Sequence, residues 1–163
     1  MPATFVPPSG ISWAHPPSSP RPACRLVLGE VHDLRPDPTT MGETSGRFIH
    51  PESPERWVRH AVETLSQDGR LRFASAGDAP TLSLNVDLLQ AYMSSWSTAK
   101  HAVVMLRVRY AADGAVAKEQ AFRGEVSGML WTDSESEVLG ALNEALKRAV
   151  AAMDDDLVLR CSG

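Results

Sequence analysis

Two spacings of apolar residues organise the chain. Leu82, Leu84, Val86 and Leu88 alternate with Ser83, Asn85 and Asp87, the period of two expected of a strand with one buried and one wet face. This strand is read over 81–92. The run Arg-Leu-Val-Leu-Gly-Glu-Val at 25–31 puts Leu26 and Leu28 on one face and Val27 on the other. A strand is expected there too, stopped by Pro36 and Pro38, which cannot donate a ladder hydrogen bond. Residues 101–110 and 119–129 alternate in the same way on either side of Asp113-Gly114, a hairpin signal, and a short strand is read at 70–74. Three neighbouring antiparallel strands are the economical arrangement of the last three long runs.

Helical spacing takes over in two stretches. Trp57, Val58, Ala61, Val62 and Leu65 follow Ser53-Pro54-Glu55, which supplies a cap, a proline at the first helical position and an acid near the positive end of the dipole. With Asp68-Gly69 closing it, this helix is read over 54–67. Val138, Leu139, Leu142, Ala145, Leu146, Ala149, Val150 and Met153 recur at close to 3.6 residues behind capping boxes that begin at Thr132 and Ser134, predicting a helix over 134–153. The trio Asp154-Asp155-Asp156 reads as its solvated terminus, and 157–161 as a short tail. The predicted fold is α+β, a mostly antiparallel sheet of about five strands with two amphipathic helices packed on one face.

Composition narrows the setting. A chain of 163 residues is about one domain's length. Residues 1–23 hold seven of the twelve prolines and a single charged side chain, Arg21, which predicts a flexible tether ahead of one domain over 24–163. A net charge of −4 gives no reason to expect nucleic acid, whose binding needs clustered Lys and Arg. No apolar run approaches the ~20 residues needed to cross a bilayer.

Candidate chemistry is sparse. Ser97-Thr98-Ala99-Lys100 matches the S-x-x-K pattern in which a lysine activates a nucleophilic serine, but Ser97 falls between two strands and not at the start of a buried helix, so a serine hydrolase is only a remote alternative. The histidines lack the paired spacing of a metal site, and no cofactor motif is present. His32 beside Asp33 would not form a dyad, because neighbours on a strand point to opposite faces. Trp96, in the hairpin connection, and Trp131, ahead of the second helix, are candidates for binding a partner or for plugging the core. Asp33 and Arg35, two apart at a strand end, share a face and are expected to pair, with partner binding as their lesser alternative role, while Asp37 and Thr39 form turns and Gly42 supplies a backbone angle most residues avoid. Cys24 and Cys161 lie at the two ends of the folded part. Either they form a disulfide closing a loop of more than a hundred residues, worth up to about 4–5 kcal/mol, or they are two unpaired thiols.

The order of these motifs resembles a known family. Val31-x-Asp33-x-Arg35, Met41-Gly42, a helix closing on Asp68-Gly69, Leu82-x-Leu84-x-Val86-x-Leu88, Phe122-x-Gly124 and Leu142-Asn143-x-Ala145-Leu146 followed by Asp156 look like the YajG-type lipoproteins of the bacterial envelope. The likeness covers roughly residues 25–158. It implies a periplasm-facing protein held on the outer membrane of a Gram-negative cell by a lipidated cysteine. Arg21-Pro22-Ala23 departs from a lipobox, so that cysteine is expected upstream and not at Cys24. The expected function is non-enzymatic binding of another envelope component, protein or lipid or glycan, with carriage of a lipid or glycan as the alternative.

Overall fold

The structure is a computed structural model, and it describes residues 24–44, 47–50, 52–64, 71–73, 82–112, 118–129, 131–132 and 134–161. In chain order the elements are β1 (Cys24–Asp33), β2 (Gly42–Thr44), β3 (Arg47–Phe48), α1 (Pro54–Glu63), β4 (Leu71–Phe73), β5 (Leu82–Trp96), β6 (Ala99–Ala111), β7 (Lys118–Met129) and α2 (Glu135–Cys161). The seven strands form one sheet. The predicted tether lies outside the described residues.

β5 is the spine of that sheet. Along one edge it pairs antiparallel with β6, which pairs antiparallel with β7, as the alternating runs predict. Along its other edge two strands follow one another, both parallel to it. β1 takes residues from Leu82 to Leu88, and β2 takes Met93 and Ser94. β4 lies outside β1, and β3 outside β2. The sheet is therefore mixed. Alternation reports which face a residue occupies but not the direction of its neighbour, so the parallel pairing was not visible in the sequence; β2 and β3 are too short to show any period.

Both helices cover the same face. The rows Leu84–Tyr110, Val86–Val108, Leu88–Leu106–Phe122 and Met93–Ala102 are buried under Val58 and Val62 of α1 and under Leu142, Leu146, Met153 and Leu157 of α2. Gly124 lets α2 approach β7: a Cβ there would lie 1.9 Å from the Ala145 carbonyl oxygen. Gly42, at φ +116°, does the same beside the Met93 backbone. Trp57 Nε1 donates to Asn143 Oδ1 at 2.7 Å and ties the helices together.

Two expectations are corrected. The segment 157–161 is not a tail but the end of α2, because Ala149, Met153, Leu157 and Cys161 continue the apolar stripe at intervals of four through the acidic trio. Asp154 is accordingly buried, and Asp156 accepts from Arg160, whose guanidinium lies over the Tyr110 ring. Ser53 makes no side-chain cap to α1.

Candidate functional site

Among the described residues no helix covers the second face of the sheet. Its cross-strand rows, read from register, change character along β5. After Ser83 opposite Ala111 at the start of β5, Asn85 faces Arg109 and Glu119, and Asp87 faces Arg107 and Ala121. Then come Gln90, Met105 and Arg123; Tyr92, Val103 and Glu125; Ser94, His101 and Ser127. The last row, Trp96, Ala99 and Met129, is wholly apolar.

Asp87 sits at the charged end with its side chain 0% exposed, although alternation places it among wet positions. Arg107 Nε and Nη2 donate to Oδ2 at 2.9 and 2.7 Å, and Arg109 Nη2 donates to Oδ1 at 3.0 Å. His32 Nδ1, from β1, lies 3.4 Å from Oδ1. Burial pushes this carboxyl up, but the hydrogen bond from Arg107, the charge and hydrogen bond of Arg109 and the contact with His32 outweigh it and hold Asp87 below the usual carboxylate range. The group ties three strands together.

Asp33 and Arg35 form a separate, buried staple with side chains 8% and 3% exposed. Arg35 Nε and Nη2 donate to the two Asp33 oxygens at 2.7 Å each, Nη1 to the Thr40 carbonyl and Nη2 also to the Pro38 carbonyl. Guanidinium and carboxylate are both consumed in folding the 34–40 loop back on itself. Neither reaches the two tryptophans.

Trp96 and Trp131 are at the opposite end and stand in solvent, 88% and 76% exposed, with Met129 at 52%. The backbones that carry them are fixed. Trp96 ends β5 at a two-residue turn whose first residue, Ser97, has φ 57°, a conformation that costs a non-glycine residue about 1 kcal/mol. Trp131 is fixed by Glu137. One Glu137 oxygen accepts from the Trp131 N–H at 2.8 Å and from Lys100 Nζ at 2.9 Å; the other accepts from the Thr132 N–H and hydroxyl. The Trp131 and Thr132 N–H groups and then the Lys100 ammonium hold the Glu137 carboxyl down at about 2. Ser134 caps α2 by accepting from the Glu137 N–H. The second sequence box therefore forms half of its reciprocal pair, since the Glu137 carboxylate turns to 131–132 instead. Lys100 is spent on this clamp, while Ser97 lies in a turn and not on a helix, so the S-x-x-K pattern does not assemble as a nucleophile and its base.

Beside this end, a cleft of about 230 Å³ opens between β2–β3 and the first turn of α2, lined by Arg47, Phe48, His50, Glu135, Val138 and Leu139 among others. Among the described residues no cluster of three or more His, Cys, Asp or Glu could hold a metal. Nor, among the described residues, is any helix long and apolar enough to cross a membrane.

No family model and no curated protein matches the chain. Solved structures do. A Xanthomonas campestris protein assigned to family DUF330 is similar over 88% of this chain and 86% of its own, with 13% identity and a TM-score of 0.54. Protein CT253 of Chlamydia trachomatis matches over 87% and 97%, with 11% identity and a TM-score of 0.51. Lipoprotein GNA1162 of Neisseria meningitidis matches over 83% and 99%, with 9% identity and a TM-score of 0.44. At such identities the likeness is one of fold.

Proposed function

We propose that this chain is a lipoprotein-type domain of the Gram-negative envelope, of the YajG kind, which faces the periplasm and is held on the outer membrane by a lipid on its N-terminal side. There it binds another envelope component without catalysing a reaction. The supporting observation is the polarity of the molecule. Leu26 pairs with Leu82 at the start of β5, so the described chain enters at that end. α2 finishes at the same end, where Asp156 and Arg160 meet Tyr110. Trp96, Met129 and Trp131 are exposed at the other end, roughly 50 Å away along fifteen residues of strand. A domain tethered at one end presents the other to whatever it meets, and the family's motif order supports the compartment.

A Cys24–Cys161 bridge belongs to the same proposal. Both residues lie at the entry end, and Cys161 is half-buried against the core. Fractionation of cells expressing the native gene, with palmitate labelling, tests the reading. An outer-membrane protein carrying label is expected; an unlabelled cytosolic protein overturns it. Carriage of a lipid or glycan is the weaker reading. The space between helices and sheet is filled by Leu84, Leu88, Leu106 and Met153, all fully buried, and the cleft is below the roughly 300–1,000 Å³ of small-molecule sites. Native mass spectrometry showing a co-purified acyl chain would reverse that ranking.

A further inference from the structure

We infer that the far end of the sheet is a docking surface for a basic, apolar protein segment, one in which aliphatic or aromatic side chains are flanked by Lys or Arg. The inference rests on the binding function proposed above and names the chemistry of its partner. Trp96, Ala99 and Met129 form one continuous apolar row across three strands, and Trp131 follows two residues after Met129. Trp131 is presented on a backbone clamped by Glu137, so its main chain has little freedom to lose on binding, which suits a large aromatic to act as an interface anchor.

Charge chooses among occupants. Glu43 of β2, paired with Ser94 next to the apolar row, and Glu135 in the first turn of α2 are exposed, with no cationic partner among the described residues. Lys100 is spent on Glu137, and Arg47 is already engaged. Two exposed carboxylates therefore stand near the apolar end without a described ion-pair partner, which draws a cationic segment and repels an anionic membrane surface. The end also points away from the proposed anchor.

Selection of a random displayed-peptide library on the purified full chain tests the inference. Enriched peptides should place Lys or Arg beside bulky apolar residues. Trp131→Ala should weaken a selected peptide about tenfold or more, as a hot-spot truncation does, and Trp131→Phe should restore most of the affinity. Glu43→Lys with Glu135→Lys should weaken binding and flatten its salt dependence. Glu137→Gln, a positioning change, should weaken the peptide while raising the mobility of the Trp131 indole N–H in NMR relaxation. Peptides without basic residues, affinity indifferent to Trp131→Ala, or no enrichment at all overturn the inference. A Trp96-dependent dimer would assign the surface to a second copy, and a fluorescence shift on phosphatidylglycerol vesicles would assign it to lipid; either result also overturns it. Envelope location and acylation are read separately in cells, so failure here leaves that reading standing, and the reverse.

Discussion

At the scale of single residues, the buried carboxylates decide more than the exposed ones. Removing Asp33 leaves the Arg35 guanidinium 3% exposed with its ion-pair partner gone, and breaking such a pair costs about 3–5 kcal/mol. Asp33→Ala should therefore lower the urea midpoint sharply, and an unchanged midpoint would show that the loop holds without its staple. Glu137 gives a pH signature. Its carboxyl is held at about 2 in the folded chain against an ordinary 4.5, so its contribution is complete above 4.5 and is lost as pH falls towards 2. In acid titrations of stability, Glu137→Gln should be less stable at neutral pH and show a shallower loss across that window. The pairing of Asp33 with Arg35 was legible in the sequence because the two are only two residues apart where the strand run ends, although β1 stops at Asp33 and Arg35 lies in the loop beyond it. The Asp87 cluster was not, because Asp87 and Arg107 are twenty residues apart and meet only through the register of two strands.

That register is a property of the elements. The Ser97-Thr98 turn sets Trp96 opposite Ala99, and the pairing runs unbroken to Gln90 opposite Met105. The irregularity between Leu88 and Gln90 then shifts it by one, so that Asp87 faces Arg107 where uninterrupted pairing would have set it against Val108. A sequence trace exists: the buried apolar positions of β5 change from even (Leu84, Val86, Leu88) to odd (Ala91, Met93), whereas those of β6, Val103 apart, stay even from Ala102 to Tyr110. Long alternating strands and the α2 stripe were readable because each repeats its period many times, and β4 falls within the short strand read at 70–74; β2, β3 and the direction of β1 leave no such record. Packing between elements gives a further prediction. Gly124→Ala puts a methyl within 1.9 Å of backbone, and overpacking of this kind costs about 1–3 kcal/mol. A drop of that size in chemical unfolding is expected, with α2 the element whose amide protection falls most; full stability would mean that α2 can slide outward freely.

At the scale of the whole molecule, the two ends of the described chain, Cys24 and Cys161, lie at the pole opposite the aromatic end. If Cys24 and Cys161 are joined, reductant should lower the urea midpoint of the native chain and leave Cys161→Ser unaffected, with a difference of up to about 4–5 kcal/mol for a closure of this length. Equal midpoints with and without reductant would show the bridge to be absent. The parallel seam between β1 and β5 has a mechanical consequence. With the far end of β5 gripped, a pull at Cys24 runs along the strand axis and away from that grip. The seam from Leu26–Leu82 to Asp33–Leu88 would then be loaded in shear, all its hydrogen bonds resisting together, and not unzipped one by one. A domain strung between an anchor and a partner would thus bear tension along its most resistant direction.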